Sequence, residues 1–324
     1  MPPLTSVIVT AYNQAQYIGP ALDSVLGQTR TPDEVVVVDD GSTDATPEVI
    51  TPYRDRIVYI RQPNQGVAES RNTGIRAARG EFLAFLDGDD LWEPEKLDVQ
   101  VSAAKQYPES GLIAVNGIQF SEATTMRDSL FPAQIARLFN KDAESVSVDA
   151  SELFLHENVV WTTSQTMIPA WTLRTVGLSD PQFPLVNDWD LYVRIAEHHP
   201  VTFINRRLTR WRYHDRSASG PAFERQLRWG EDGIQMTASH LRRAPKARRG
   251  MLRRELRFQI FRTARAAYDR TKPGQREIGV GCLRRLLRWS HVSHAPAMFL
   301  LAAYSPDWLT HALGRMVRRA RHVS

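Results

Sequence analysis

Short apolar runs alternate with amphipathic segments along the first 120 residues of the chain. The runs are rich in β-branched and other apolar residues and stop at polar or turn-forming residues, which is typical of buried strands. They predict strands at Ser6–Thr10, Glu34–Asp39, Ile57–Arg61, Phe82–Leu86 and Leu112–Gly117. The segments between them predict helices at residues 18–26, 45–53, 67–78 and 94–107. This alternation indicates a mostly parallel sheet with helices on both faces.

The pattern is less regular from residue 121 to residue 158, where we predict loops and short helices. Strand character returns at Val159–Pro169, and helices are predicted at Trp171–Val176 and Leu191–His198. Two further strands are predicted at Val201–Ile204 and Leu208–Tyr213.

Beyond residue 219 the pattern becomes helical and rich in arginine. Apolar residues recur every four positions at Leu252, Leu256, Ile260, Ala264 and Tyr268, which places them on one face of a helix with arginines around the rest. We therefore predict an α/β domain over residues 1–219, with halves at 1–120 and 121–219, and a basic helical region over residues 220–324.

Composition limits the class of protein. No apolar run reaches the roughly 20 residues that a membrane-spanning helix requires. The N-terminus enters a strand pattern without the basic region and cleavage site of a secretory signal. Cys282 is the single cysteine, which excludes an intrachain disulfide and a cysteine-rich metal site. These features predict a cytoplasmic protein.

The net charge of +5 is unevenly distributed along the chain. Residues 1–200 carry 14 Lys and Arg against 28 Asp and Glu, whereas residues 201–324 carry 27 against 8, giving net charges of −14 and +19. A basic region of this kind suits nucleic acid, an anionic membrane surface or an anionic substrate, and charge alone does not choose between them.

Acidic residues follow two of the predicted strands. The fourth strand stops at Asp87, Asp89 and Asp90, and the second is followed by Asp40. Because the carboxyl ends of parallel strands share one edge of a sheet, we expect these carboxylates to converge on a single crevice. An oxygen-rich cluster suits a hard cation such as Mg²⁺ or Mn²⁺. The alternative is a solvated acidic turn that caps the next helix.

Four motifs occur in order along the first two-thirds of the chain. They read SVIVTAYNQAQYI, EVVVVDDGSTD, NQGVAESRNTGIRAARGEFLAFLDGDDLWEP and NDWDLYVRIA. In this order and at this spacing they resemble the motifs of the family 2 glycosyltransferases, which have the GT-A fold and use nucleotide-diphosphate sugars. The resemblance runs from about residue 6 to residue 219 and is far more specific than the Asp-Gly-Asp sequence alone.

The resemblance implies a role for residues at the nucleotide end of the site. The residues implied in nucleotide-sugar binding are Thr10, Ala11, Tyr12, Asp40, Asn64, Gly66, Arg71 and Asp87. Asp40 is expected at the base, and Arg71 in the segment that closes over the nucleotide. Asp87 and Asp89 form the DxD pair, with Asp89 on the metal that bridges the diphosphate. His214 matches a position where some members place a histidine near the metal, and the alternative is a surface-loop histidine.

In the family a carboxylate at the start of a later helix removes the proton of the acceptor hydroxyl, and the anomeric centre inverts. Here that motif is Asn187-Asp188-Trp189-Asp190, with Asp188 at the position of the base. Asn187 departs from the more usual Glu. Asp190 is the second candidate for the base, and the alternative for both Asp188 and Asp190 is that they cap the helix. The residues expected on the acceptor side are Trp161, Thr163 and Trp189, unless the tryptophans belong to the core.

The sequence therefore predicts an inverting, Mg²⁺- or Mn²⁺-dependent hexosyltransferase that acts in cell-envelope or other glycan (polysaccharide) synthesis. The donor is expected to carry UDP, dTDP or GDP, and the acceptor to be a glycan or a lipid-linked molecule. The alternative is a protein that binds nucleic acid or a membrane surface through its basic helices at residues 240–324. Few aromatic residues lie among those arginines, which disfavours nucleic acid. Peripheral binding to the inner face of the membrane and homo-oligomers remain open.

Overall fold

A computed structural model of the chain describes residues 4–121, 124–140, 143–214, 223–269 and 275–303. It divides into two compact units, residues 1–217 and 218–324, and each has its own apolar core. The predicted domain boundary after residue 219 lies outside the described residues.

In the described residues the first unit contains one ten-stranded sheet. Its strands are β1 (Thr5–Ala11), β2 (Glu34–Asp39), β3 (Val58–Arg61), β4 (Phe82–Asp87), β5 (Leu91–Trp92), β6 (Leu112–Ser121), β7 (Thr124–Arg127), β8 (Ser145–Val148), β9 (Thr166–Pro169) and β10 (Val201–Arg212). The order across the sheet is β3-β2-β1-β4-β9-β6-β10-β5, with β7 on β6 and β8 on β10. All five strands predicted in the first 120 residues are present.

The sheet is mixed rather than mostly parallel. Strands β3, β2, β1 and β4 are parallel, as predicted, and so are β6 and β10. β9 lies between β4 and β6 and runs antiparallel to both. The alternation of strands and helices predicted the parallel strands β1 to β4, because these follow one another along the chain with helices between them. It could not place a strand that returns from about 80 residues later in the chain.

Two strand predictions in the second half were correct only in part. Residues 159–165 are not a strand, and the segment ends in a single 3₁₀ turn at Thr163–Gln165 before β9 begins. β10 is one strand of 12 residues rather than two. Its register against β6 shifts between Ile204 and Arg207 and again between Arg207 and Thr209, which accounts for the polar interruption in its apolar pattern.

Helices and one 3₁₀ segment cover the sheet of the first unit. They are α1 (Ile18–Leu26), α2 (Thr46–Ile50), the 3₁₀ segment Thr51–Arg56, α3 (Val67–Ala77), α4 (Lys96–Gln106), α5 (Ala133–Ala136), α6 (Ser151–His156), α7 (Ala170–Val176) and α8 (Asn187–Ala196). The apolar side of α1 is fully buried at Ile18, Leu22 and Val25, as its helical spacing predicts. α3 packs on β1 so closely that a Cβ on Gly74 would lie 2.4 Å from Cγ2 of Ile8.

The parallel strands end at one edge of the sheet. Thr10 of β1 is paired with Val38 of β2 on one side and with Asp87 of β4 on the other. The polar residues that follow these strands therefore begin at the same level, and this register positions the candidate site.

The second unit is helical, as predicted. Its helices are α9 (Phe223–Arg243), α10 (Lys246–Asp269), α11 (Arg276–Leu286) and α12 (Ala295–Ala303). The predicted apolar positions Leu252, Leu256, Ile260 and Ala264 are all buried, and the last three belong to the core of this unit. Among the helices of the described residues, none is both long and apolar enough to cross a bilayer. Residues 304–324 of the predicted basic region lie outside the described residues.

Candidate active site

Two consecutive carboxylates end β2, and they have different surroundings. Asp39 is completely buried, and its carboxylate accepts hydrogen bonds from the Ser42 N–H at 2.8 Å and the Tyr59 hydroxyl at 2.8 Å. Burial, together with this bond to Asp39, raises the pKa of Tyr59 to about 12. Asp39 therefore holds the loop after β2 and its neighbour β3.

Asp40 organises the loop that precedes α3. Its carboxylate accepts hydrogen bonds from the Gln62 side chain at 2.7 Å, the Gln65 N–H at 3.0 Å and the Gly66 N–H at 2.8 Å. Gly66 has φ of +86°, a left-handed conformation that glycine adopts without strain. Asn64 is exposed in the same loop. The structure thus brings together Asp40, Asn64 and Gly66, the predicted residues of the β2 end and the following loop.

The end of β1 contributes Thr10, Ala11 and Tyr12. Thr10 and Ala11 are buried and Tyr12 is 47% exposed, with the Thr10 hydroxyl 3.4 Å from Oδ1 of Asp87. The next residue, Asn13, was not predicted. It has φ of +54°, and its Oδ1 accepts a hydrogen bond from the Thr43 N–H at 2.8 Å, which ties the β1 and β2 loops together. An Asn two residues after the strand is the signal, since Asn tolerates this conformation.

Arg71 of α3 joins three distant parts of the chain. One guanidinium nitrogen donates to Oδ1 of Asp87 at 2.8 Å, and another donates to Oδ1 of Asn187 at 2.9 Å. The Arg71 side chain is only 10% exposed. Burial alone would raise the pKa of Asp87, but the Arg71 charge and the hydroxyls of Thr163 and Thr162 outweigh it and lower that pKa. The first residue of α8 is thereby fixed beside the end of β4.

The other two acidic residues after β4 face different partners. Oδ2 of Asp89 lies 3.0 Å from Nε2 of His214, and the Arg212 guanidinium donates to the Asp89 carbonyl at 2.8 Å. Asp90 is 1% exposed and accepts hydrogen bonds from the Ser164 hydroxyl at 2.6 Å and the Arg212 N–H at 2.8 Å. Burial, and after it the charges of the neighbouring aspartates, raises the pKa of Asp90 well above its ordinary value.

The run Thr162-Thr163-Ser164 supports this cluster from behind. Its hydroxyls donate to Asp87 and Asp90 at distances between 2.6 and 3.3 Å. Thr163 was expected on the acceptor side; the structure places it against Asp87. Three successive hydroxyl residues just before β9 are visible in the sequence, but only the antiparallel insertion of β9 beside β4 brings them to the carboxylates.

Asp188 lies in the first turn of α8, partly buried. Burial raises the pKa of its carboxyl group, although the Arg71 charge and the Trp189 N–H oppose this rise. Asp190 instead forms a buried ion pair with Arg194 at 2.8 Å, one turn further along the helix. A partly buried carboxyl with a raised pKa is well suited to take up a proton.

The tryptophans expected on the acceptor side separate into two cases. Trp189 is 1% exposed and donates its indole N–H to the Phe154 carbonyl, so it belongs to the core. Trp161 is partly exposed, with its ring 6.1 Å from that of Trp211 and the Arg127 guanidinium 4.4 Å from its centre.

Asp89 and His214 are the groups best placed to hold a divalent cation. A carboxylate oxygen and an imidazole nitrogen 3.0 Å apart suit Mn²⁺, and further ligands would have to come from a bound diphosphate or water. Asp87 fits less well, because its oxygens already accept bonds from Arg71 and two threonines. Within the described residues, no cluster of three or more His, Cys, Asp or Glu side chains could hold a metal by itself.

Comparisons with known proteins show what this chain is similar to. Residues 6–156 match the family model described as glycosyl transferase family 2. A Rickettsia typhi protein described as an uncharacterized glycosyltransferase is 29% identical over 220 residues, which cover 68% of this chain and 67% of that protein. An uncharacterized Mycobacterium tuberculosis protein is 32% identical over 243 residues, which cover 72% of this chain and 66% of the relative.

Solved structures share the fold. Staphylococcus aureus TarS 1–349 in complex with UDP-GlcNAc superposes with a TM-score of 0.67 at 16% identity, over 93% of this chain and 89% of that one. The mannosyltransferase PcManGT from Pyrobaculum calidifontis, in complex with GDP-Man and Mn²⁺, gives a TM-score of 0.57 at 19% identity, over 94% and 86% of the two chains. These neighbours confirm the predicted fold class.

Proposed function

Because the chain belongs to glycosyltransferase family 2, we propose that it transfers a sugar from a nucleotide-diphosphate sugar to an acceptor hydroxyl, with inversion at the anomeric carbon. TarS has been solved with UDP and UDP-GlcNAc, and PcManGT with GDP-Man. For this chain we propose a donor that carries UDP, dTDP or GDP.

The observation that carries this proposal is the junction at Arg71. It joins Asp87, at the end of the nucleotide-side strand β4, to Asn187, the residue before Asp188. The 116 residues between Arg71 and Asn187 leave no local reason for this contact, so the fold itself brings the two motifs together. A carboxyl group with a raised pKa therefore lies at the edge where the donor would bind.

The residues divide the work of the reaction between the two substrates. On the donor side, Thr10, Ala11 and Tyr12 line the nucleoside, and Asp40 shapes the loop that faces the base. On the acceptor side, Asp188 accepts the proton of the attacking hydroxyl on its carboxylate. The acceptor would be a glycan or a lipid-linked molecule, as in cell-envelope polysaccharide synthesis, a role that the family resemblance supports.

A divalent cation completes the proposed donor site, with Asp89 and His214 as its protein ligands. When bound, Mn²⁺ or Mg²⁺ supplies positive charge that stabilises the departing nucleotide diphosphate. The structure of PcManGT with Mn²⁺ supports a cation in this fold. The Asp89–His214 pair supports its location here, since both side chains are under one-fifth exposed, at 15% and 17%.

A donor screen and a base variant test the proposal. Thermal-shift measurements across UDP, dTDP and GDP sugars, with and without Mn²⁺, identify the donor, and a transfer assay with that donor follows. Asp188→Asn should retain donor binding and lose transfer by roughly 10²–10⁴-fold. Asp98→Asn is the matched control, because Asp98 is an exposed acidic residue in the first turn of α4.

Two results would contradict the proposed mechanism. Near-normal transfer by Asp188→Asn would remove Asp188 as the base. Retention of anomeric configuration, measured by proton NMR on the first product formed, would exclude single displacement.

A further inference from the structure

Helix α10 of the second unit presents a row of arginines to solvent. Arg253, Arg254, Arg257 and Arg262 are all exposed, and Phe258 among them is 55% exposed. These five residues lie on one side of the helix, since residues three and four apart are neighbours on a helix surface. We call them the α10 arginine face.

The opposite side of α10 is fully occupied by packing. Leu252, Leu256, Ile260 and Ala264 are at most 1% exposed, and the last three belong to the core of the second unit. Substitution of the exposed residues of the α10 arginine face would therefore remove little packing within the unit. Core packing does not explain why arginines occupy these positions.

Three of the four arginines of this face are unpaired within the described part of the unit. In the part of the chain that the structure describes, Arg253, Arg254 and Arg257 take part in no ion pair, although other arginines of the unit pair with Glu231 and Asp269. The Arg262 guanidinium lies 5.9 Å from the centres of the Phe258 and Trp229 rings. The face therefore offers three guanidinium groups, unpaired among the described residues, around one exposed aromatic ring.

The charge of this region indicates an anionic partner, and the exposed Phe258 ring helps to choose among anionic partners. Residues 201–324 carry a net charge of +19, so the partner is anionic. One guanidinium group can donate two parallel hydrogen bonds to a phosphate. The methylene groups of an arginine side chain can lie along an apolar layer. A bilayer offers phosphates over hydrocarbon, which matches arginines surrounding a phenylalanine. A nucleic acid would instead favour several stacking rings, and the face has one.

We propose that the α10 arginine face docks on the surface of an anionic phospholipid bilayer, with Phe258 inserted at the boundary between headgroups and acyl chains. This proposal stands independently of glycosyl transfer, because it uses only residues of the second unit. It would hold the chain at a membrane surface without a spanning helix.

Co-sedimentation of the full chain with vesicles tests the proposal. The protein should bind phosphatidylcholine vesicles that contain phosphatidylglycerol, bind pure phosphatidylcholine much more weakly, and dissociate as salt is raised. Arg253→Gln/Arg257→Gln should lose affinity by roughly fivefold for each arginine removed. Phe258→Ser should weaken binding most at high salt, where the apolar contribution remains.

A charge-matched control comes from the first unit. Arg56 and Arg137 are exposed, and Arg56→Gln/Arg137→Gln removes the same charge from the chain. An unchanged affinity in this variant, with the losses above, supports docking through α10. Thermal melting of each variant verifies that the fold is retained, as expected for exposed positions.

Other outcomes would overturn the proposal. Failure of the wild-type chain to bind anionic vesicles at low salt excludes membrane docking. An equal loss of vesicle affinity in Arg56→Gln/Arg137→Gln would show that binding depends on the net charge of the chain and not on the α10 arginine face. Tighter binding to a random-sequence RNA or DNA, lost in the α10 variants, would make the face a nucleic-acid surface instead.

Discussion

Replacement of Arg71 by glutamine should destabilise the first unit strongly, because Arg71 is the buried link between α3, β4 and α8. The change removes a charge-assisted hydrogen bond to Asp87 and one to Asn187. Breaking a buried ion pair costs about 3–5 kcal/mol when one charge is left behind. Asp87 keeps its threonine donors and is 25% exposed, so we expect the lower end, about 3 kcal/mol.

This loss should depend on pH in a defined direction. The pKa of Asp87 is lowered in the folded protein, so its ionised form contributes stability at pH values above its unfolded pKa. That contribution is lost as pH falls through the folded pKa. The difference between wild type and Arg71→Gln should therefore be largest near neutral pH and shrink in acid.

Urea unfolding of both proteins, followed by tryptophan fluorescence and circular dichroism at several pH values, measures this difference. Arg76→Gln is the matched control on the same helix, because Arg76 is 55% exposed and pairs with Glu69 at the surface. Such pairs contribute about 0–1 kcal/mol. The reasoning fails if Arg71→Gln costs no more than Arg76→Gln, or if its cost does not fall in acid.

Four further outcomes are expected. Because the pKa of Asp188 is raised, kcat/KM should fall on the acid side at a pH above the ordinary aspartate range, and an acid limb near pH 4 or below would contradict its assignment as base. Transfer should be abolished by EDTA and restored by Mn²⁺ or Mg²⁺, so activity that survives chelation would exclude the cation. Cys282 is fully buried and the pKa of its thiol is raised, so a thiol reagent should label it only after denaturant is added; rapid labelling of the native protein would show that its helix opens. Gly74→Ala should lower the free energy of unfolding by about 1–2 kcal/mol, because the added Cβ would overlap with Ile8. Gly250→Ala should be neutral or stabilising in the same urea titration, because nothing lies within 4 Å of the added Cβ.

Local patterns predicted most of the elements and several members of the site. The runs ending at Asp39 and Asp87 were predicted as strands because β-branched and apolar residues form a continuous buried segment there. The arginine-rich helices of the second unit followed from the spacing of Leu252, Leu256 and Ile260. The roles of Asp40, Asp89 and Asp188 remain predictions, and the structure adds the contacts from which they can be tested.

The sequence by itself determined most of the strands and helices, and which polar residues follow the parallel strands, because both depend on near neighbours in the chain. Tertiary structure decided the partners of those residues. It placed Arg71 between Asp87 and Asn187, brought the hydroxyls of residues 162–164 behind the acidic turn, and buried Trp189. These contacts join residues 16 to 116 positions apart. They depend on the antiparallel insertion of β9 and the packing of α8, for which hydrophobic periodicity carries no signal.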